Sequence, residues 1–244
     1  MNLTPQEKSR LMQRATLASV AVALALVAAK AVAWWQSGSV AMLGALMDSG
    51  LDVLASAFNF LAVRHAVTPA DAEHRFGHGK AEALAGLVQA GLVAVSAVFL
   101  TYESVSRLIA PVPVTDDLLG IGVILFSIAM TLGLVAYQRR IIRMTGSVAI
   151  HADNLHYVGD LLMNTAVIAA LVMTAQFGLL WFDGAIGLVI AGVIGWSAIS
   201  IVRASWDQLM DREFDETDRK KIREIACAHK EVRDIPDPRT RRSG

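Results

Sequence analysis

The sequence predicts an all-α membrane protein with six transmembrane helices, both termini cytoplasmic, and a short, partly helical C-terminal tail. Residues of the AVILMFWYC set make up 55% of the 244 residues and charged residues only 18%, whereas soluble domains carry about 25% charged residues. The basic and acidic residues balance at 22 each, which argues against nucleic acid as a partner. A single cysteine, Cys227, excludes an internal disulfide framework.

The apolar residues are concentrated in six runs. Three runs contain no charged residue and are 18 to 20 residues long, and helices of that length cross a hydrocarbon core of about 30 Å. The predicted spans are Ala15–Trp35, Val40–Val63, Ala83–Tyr102, Leu118–Ala136, Ser147–Thr174 and Ala185–Val202. The connections at Gln36–Ser39, Pro111–Asp117 and Gln176–Gly178 are short, which predicts that sequential helices are antiparallel neighbours.

The basic residues alternate between the two sides of the predicted bundle. They lie before the first span, after the second, after the fourth and from Arg203 onward, and the other three connections contain only Arg107. The positive-inside rule therefore places both termini in the cytoplasm. Because the first apolar run is full length and follows a polar segment, we expect no cleaved signal peptide. The expected domains are a cytoplasmic N-terminal tail at 1–14, a six-helix transmembrane domain at 15–203 and an incomplete cytoplasmic C-terminal domain at 204–244.

Four ionisable residues inside the spans form two pairs. Asp48 and Asp52 are four residues apart on the second span, and His156 and Asp160 are four apart on the fifth, so each pair lies on one helix face. Counting rise per residue puts Asp48 and Asp52 roughly 12 and 18 Å from the periplasmic edge, and His156 and Asp160 roughly 16 and 10 Å from it. The two pairs are therefore expected to meet at one level.

Three carboxylates and one imidazole form a donor set suited to a tetrahedral divalent ion such as zinc. Calcium or magnesium would prefer more oxygen ligands and no His. The alternatives are a relay that carries only protons and a set of intramembrane ion pairs. Ion pairs are disfavoured because Lys30 is the only cation in the spans and is expected to reach the interface near Trp34 and Trp35.

Other polar residues of the spans have structural interpretations. Asp153 is expected either to line an entry path or to be a solvated carboxylate at a helix end. Asn59 and Gln89 are expected to make hydrogen bonds between helices.

A second candidate cluster lies in the loop after the second span. His74 and His78 are four residues apart, and Asp71 precedes His74 by three. This spacing gives a good density of metal ligands in a flexible cytoplasmic loop. From spacing alone, the alternative interpretation is that these are interfacial polar residues that cap the following helix.

These residues resemble motifs of the cation diffusion facilitators, most closely the bacterial zinc and ferrous-iron efflux type. The matching segments are Ala33–Val40 (AWWQSGSV), Asp48–Asp52 (DSGLD), His74–Glu82 (HRFGHGKAE) and His151–Asp160 (HADNLHYVGD). The resemblance covers all six spans and continues into the tail. It implies a homodimer in the bacterial cytoplasmic (inner) membrane that exports a divalent metal in exchange for protons. Zinc is the expected ion, with cadmium or ferrous iron as other candidates.

The resemblance also assigns the two clusters. It implies that Asp48, Asp52, His156 and Asp160 form the transport site, and that Asp71, His74 and His78 form a cytoplasmic zinc site in the loop.

The tail is expected to contain one amphipathic helix at 217–229, because Ile222, Ile225 and Ala226 recur at helical spacing. By resemblance, the segment from Asp237 to Gly244 is similar to the first strand of a cytoplasmic zinc-binding domain. The family places a zinc-binding His just before this Asp, where the present sequence has Pro236. We therefore expect little metal binding by the tail.

Two other classes of function use similar residues. An intramembrane metal-dependent hydrolase would need an open coordination position and a general base, but all four candidate ligands are already used and no His-Glu-x-x-His motif occurs. An enzyme is therefore not expected. A metal sensor or scaffold without transport would contain the same ligands and is distinguished by measuring flux.

Overall fold

The computed structural model describes residues 4–38, 40–110, 118–229 and 231–241. Within these ranges the chain forms seven α-helices and no strand. The helices are α1 (Pro5–Ser37), α2 (Val40–Ala66), α3 (Lys80–Ile109), α4 (Leu118–Thr145), α5 (Val148–Phe177), α6 (Phe182–Leu209) and α7 (Glu216–Cys227). The first six are long and apolar enough to cross a membrane. The predicted fold class, an all-α protein with six spans, is confirmed, and the chain is a multi-pass membrane protein.

The first and last spanning helices extend beyond their predicted apolar runs. α1 begins at Pro5 because Thr4 and Glu7 form a capping box: the Glu7 N–H donates to Thr4 Oγ1 (3.3 Å), and the Thr4 N–H donates to Glu7 Oε2 (2.8 Å). Residues 5–14, expected as a tail, therefore form the first turns of α1. α6 continues past residue 203 to Leu209. The division into domains at residues 15 and 203 stays a prediction.

A two-residue turn joins α4 to α5 and sets the position of α5 in the bundle. Gly146 has φ of 74°, a left-handed conformation that glycine adopts without steric cost. Ser147 then caps α5, since its Oγ accepts the N–H of Ile150 at 3.2 Å. Of the predicted connections on the opposite side, Ser39 and residues 111–117 lie outside the described ranges, and the third starts later than expected because α5 runs to Phe177.

The helices pack in two groups. α1 adjoins α2, α4 and α5, and α5 also adjoins α2 and α4. α3 packs most extensively against α6 and also against α5 and α2. The expectation that all sequential helices are neighbours is therefore wrong for α3 and α4, which make no extensive contact among the described residues. The reason is that α6 presents Gly184 and Gly187 to α3, and these small residues permit a much closer approach.

The contact between α3 and α6 depends on glycine. A Cβ added to Gly187 would lie only 3.3 Å from the Ser104 Cβ, and one added to Gly184 would lie 2.8 Å from both the Ser104 carbonyl oxygen and the Leu108 Cγ. Small residues at a helix interface in a membrane allow the two backbones to come close enough for dense van der Waals packing. The pair α3 and α6 is therefore expected to behave as one tightly packed unit.

Replacing Gly184 with Ala is expected to destabilise this pair. The new methyl group would meet backbone of α3, which cannot move aside as a side chain can, and overpacking of this kind costs about 1–3 kcal/mol. The matched control is Gly192→Ala, because nothing lies within 4 Å of a Cβ at that position of α6. Thermal unfolding in detergent should show a lower midpoint for Gly184→Ala only. Equal midpoints for the two variants would contradict the close approach of α3 and α6.

The outer surface of the bundle is apolar. Leu54, Phe99, Val189 and Trp196 expose 66%, 68%, 65% and 72% of their surface, although side chains of this kind are usually buried in soluble proteins. They lie on three different spanning helices, α2, α3 and α6. This distribution is that of a bundle whose apolar exterior is solvated by lipid chains.

The tail carries the predicted helix but not the predicted strand. α7 covers Glu216–Cys227, none of whose residues is buried. Arg219 contacts Asp237, and Arg223 donates to Asp234 Oδ1 at 2.7 Å, so the segment after α7 folds back along it. Residues 237–241 are irregular, and 242–244 lie outside the described ranges. The physical reason is that an isolated strand leaves its N–H and C=O groups unpaired, and the described residues include no strand to pair with it.

Candidate metal centres

The structure brings three of the four predicted intramembrane ligands together. His156 Nε2 lies 3.0 Å from Asp52 Oδ1 and 3.7 Å from Asp160 Oδ2. The candidate ligand atoms of Asp52, His156 and Asp160 all lie within 4.8 Å of one another. We call these three residues the intramembrane cluster. Side chains on α2 and α5 thus meet at one level, as the rise per residue predicted.

Asp48 lies apart from this cluster. Its side chain is exposed, and its carboxylate is not among the grouped ligand atoms of the described residues. Two residues four apart on a helix differ by one turn in height and by about 40° in direction. Asp48 is therefore one turn above Asp52 and points partly away from α5, so its role as a fourth ligand stays a prediction.

Lys30 does not reach the membrane interface as expected. Its ammonium donates to Ser49 Oγ at 2.6 Å, and Ser49 is a buried residue that lies between Asp48 and Asp52 on α2. The ammonium is also within electrostatic range of the Asp160 carboxylate. Lys30 therefore contributes a positive charge beside the intramembrane cluster, which the sequence argument had left out.

The expectation for Asp153 is wrong in both of its forms. The residue is completely buried, so its carboxylate is neither solvated nor part of an open path. Its Oδ2 accepts from Ser19 Oγ at 2.6 Å and from Gln138 Nε2 at 2.7 Å. Asn154 donates in turn to Gln138 Oε1 at 3.1 Å. A buried polar cluster thus joins α1, α4 and α5 about one turn from His156.

Tyr157 holds α5 against α1 and α2 beside the intramembrane cluster. Its side chain is completely buried. The hydroxyl donates to the carbonyl oxygen of Ser19 at 3.2 Å and lies 2.8 Å from Ser56 Oγ. Since Tyr157 follows His156 directly, these bonds fix the part of α5 from which the imidazole projects.

Asn59 and Gln89 are buried, but the interhelical hydrogen bonds expected of them are not seen. Each exposes 1% of its surface, and neither amide has a hydrogen-bond partner among the described residues. Sequence indicated their burial correctly but could not place a partner opposite them, because that depends on how the neighbouring helices are rotated.

The predicted loop ligands also converge. The Asp71 carboxylate faces both imidazoles, with Oδ1 3.2 Å from His74 Nδ1 and Oδ2 3.5 Å from His78 Nε2. The three ligand atoms lie within 4.8 Å of one another, and we call these residues the loop cluster. The backbone N–H of His74 donates to Asp71 Oδ1 at 2.6 Å, which is the main reason why the pKa of Asp71 is lowered from its ordinary value. The carboxylate is thus kept ionised, as a metal ligand must be.

The loop is fastened to the end of α6 and to the tail. Lys80 donates to Asp211 Oδ2 at 2.9 Å and to the carbonyl oxygen of Leu209 at 3.1 Å, and the Lys80 ammonium lowers the pKa of Asp211. Arg241 lies 4.0 Å above the ring of Phe76, a cation–π contact. Sequence could not predict these contacts, since they join residues more than a hundred positions apart.

Replacing both His74 and His78 with Ala is expected to remove the loop site and leave the intramembrane cluster intact. The loop cluster would keep only one carboxylate, whereas Asp52, His156 and Asp160 lie in the spans and contact neither histidine. Metal analysis of purified protein should show about one bound metal ion fewer per chain, with the ion at the intramembrane cluster retained. Loss of all bound zinc would mean that the two clusters do not act as separate sites.

The six-helix bundle, with partly buried His and Asp side chains that meet between α2 and α5, defines a membrane protein with a polar cluster inside its spans. Comparison with known proteins identifies the family: the family model described as the cation efflux transmembrane domain matches residues 16–210. The chain therefore belongs to the cation efflux family. It is a transporter and not an enzyme, and its function is the efflux of divalent cations.

The chain is similar to curated proteins over most of its length. It is 45% identical over 230 residues to the cation-efflux pump FieF of Shewanella oneidensis, covering 94% of this chain and 77% of that protein. It is 42% identical to the protein of the same name from Salmonella arizonae, covering 98% of this chain and 79% of the relative. These similarities support membership of the cation diffusion facilitators, which the motifs indicated.

Proposed function

We propose that this protein is a metal/proton antiporter that exports zinc from the cytoplasm by alternating access. Cadmium and ferrous iron are further candidate substrates. The proposed transport site consists of Asp48, Asp52, His156 and Asp160. The observation that carries the proposal is the meeting of Asp52, His156 and Asp160 between α2 and α5, within the membrane-spanning part of the bundle.

The charge around this site suits a divalent cation. When His156 is neutral, the ionised carboxylates of the three Asp residues and the Lys30 ammonium together carry a net charge of minus two. Uncompensated charge inside a membrane is costly, and one divalent cation would neutralise it. The mixed oxygen and nitrogen donors favour zinc over calcium or magnesium.

Exchange for protons follows from the chemistry of the ligands. A metal requires ionised carboxylates and a neutral imidazole, so metal and protons compete for the same atoms. Lowering the pH on the side to which the site is open therefore promotes metal release, and raising it promotes metal binding. When the site alternates between two sides of different pH, protons move one way and metal the other.

The remaining parts of the proposal concern location and assembly. The distribution of basic residues favours cytoplasmic termini, which puts the loop cluster on the cytoplasmic side. The resemblance to bacterial efflux proteins supports the bacterial inner membrane and a homodimer. In the loop, Asp71, His74 and His78 would hold a zinc ion, which would act there as a structural crosslink.

The test is zinc flux in sealed proteoliposomes that contain a zinc-sensitive dye. With zinc outside, an acidic interior should accelerate zinc uptake, and reversing the pH gradient should slow it. Collapsing the gradient with nigericin is the control in the same vesicles. Zinc flux that does not depend on the pH gradient would support a channel instead. The absence of zinc flux in every condition would support a metal sensor or scaffold.

A further inference from the structure

A third histidine lies beside the loop cluster. His65 belongs to the last turn of α2, and its ring centroid is 4.6 Å from that of His78 in an edge-to-face arrangement. The rings of His74 and His78 lie 4.5 Å apart. All three imidazoles line one open cavity of about 470 Å³ at the loop. His65 comes from a different element than the other two, since the loop begins only after α2 ends.

The loop cluster as predicted has one ligand too few for zinc. Asp71, His74 and His78 supply three donors, whereas a structural zinc site in a protein almost always has four. A structural site closes its fourth position with a side chain, and imidazole nitrogen is one of the donors that zinc prefers. The last turn of a helix also suits a group that carries positive charge, because the helix dipole is negative there.

The buried imidazole of His78 has one ring nitrogen without a hydrogen-bond partner among the described residues. The side chain of His78 is only 6% exposed, and its Nδ1 has no hydrogen-bond partner among the described residues. An imidazole buried to this degree normally has both nitrogens satisfied. The ring of His65 is packed directly against this half-satisfied imidazole, and the ring of His74 lies on it as well.

We propose that His65 is a fourth ligand of the loop site, in addition to Asp71, His74 and His78. This inference rests on the proposed metal binding by the loop. The nitrogens of His65 are not yet within 4.8 Å of all three other ligand atoms. However, the side chain is exposed, so its ring can turn about χ1 and χ2 at small cost. The resulting set of three imidazoles and one carboxylate is a closed tetrahedral zinc site.

A fourth ligand on α2 changes what the loop site does. Without His65, the metal would connect residues of one loop and leave the helices independent of it. With His65, the metal fastens the end of α2 to the segment that leads into α3 at Lys80. α2 also carries Asp48 and Asp52, so metal bound in the loop would restrict the helix that supplies two of the proposed transport ligands.

The test measures metal at the loop site alone. Full-length protein carrying Asp52→Ala and Asp160→Ala provides a background in which the intramembrane cluster is disabled. Into it are introduced His65→Ala, His65→Phe, which retains a ring against His78 but has no nitrogen, and the control His229→Ala, an exposed histidine beyond α7. Zinc affinity is measured by competition with a chelating dye, and cobalt(II) absorption reports the coordination geometry.

Both His65 variants are expected to bind zinc at least about 100-fold more weakly than the background protein. Residues that only support a metal ligand already contribute about 10- to 100-fold to metal affinity, and a direct ligand should contribute at least as much. Their cobalt spectra should lose the intense bands of a tetrahedral site, and His229→Ala should match the background protein in both measurements. Zinc affinity unchanged in His65→Phe would overturn the assignment. Weaker binding with an unchanged cobalt spectrum would also overturn it, because His65 would then only position His78. If the background protein binds neither zinc nor cobalt, that result would contradict both the proposed metal site in the loop and the assignment of His65 to it.

Discussion

Replacing Asp52 with Ala is expected to abolish zinc transport in a protein that still inserts and folds. The Asp52 carboxylate lies 3.0 Å from His156 and is the only member of the intramembrane cluster that α2 contributes. Its removal leaves the intramembrane cluster with two members, both on α5, and takes away one unit of the net negative charge that would balance a divalent cation. Zinc flux in proteoliposomes should fall by more than about 100-fold, because a direct ligand contributes at least as much as the groups that support it.

The control for this variant is Asp207→Ala, which removes a carboxylate from the exposed end of α6. Asp207 contacts Arg212 and lies outside both metal clusters. It should transport zinc at the rate of the unmodified protein. Both proteins must elute as single peaks and unfold cooperatively, so that loss of flux reports on the site. Zinc flux near the unmodified rate in folded Asp52→Ala would remove Asp52 from the transport site.

Replacing His156 with Asp is expected to change which metal is preferred. The site would then contain only carboxylates, a harder donor set that suits manganese better and zinc less well. The ratio of zinc to manganese transport should fall at least about tenfold, as expected when a nitrogen donor preferred by zinc is replaced by oxygen. Competition between the two ions in the same proteoliposome assay measures this ratio directly.

His151→Asp is the matched control for the change in selectivity. His151 lies on the same helix five residues earlier and is exposed, and it belongs to neither cluster. The same substitution there adds a carboxylate to α5 without touching the site. A metal preference that shifts equally in both variants, or in neither, would mean that His156 does not contact the transported ion.

Sequence was sufficient to predict the fold class and the meeting of the two helices at the site. Long uncharged runs specify spanning helices directly, because a helix rises by a fixed amount per residue and the membrane has a fixed thickness. The same arithmetic placed Asp52 and His156 at one height, and the structure confirms that they lie side by side. Depth along a helix is a one-dimensional quantity that the chain itself encodes.

The sequence does not specify in the same way the direction in which each side chain points around its helix axis. Asp48 follows the spacing that should put it at the site, yet its side chain is exposed. Asp153 was expected to line an entry path or to be solvated, yet it is enclosed by Ser19 and Gln138. Lys30 likewise turned toward α2 and not toward the interface. These outcomes depend on how neighbouring helices are rotated and which polar partners they present, and nothing in the periodicity of a single span reveals this.

The buried polar cluster around Asp153 fixes the axial register of three helices. Apolar helices in a membrane can slide past one another with little penalty, because one Leu or Ala contact resembles the next. Asp153 accepts two hydrogen bonds from groups on α1 and α4, and a slip of one turn would leave this buried carboxylate without either donor. A lone buried carboxylate is so unfavourable that the three helices can meet at only one height, which fixes the height of the His156 ligand on α5 relative to α1 and α4.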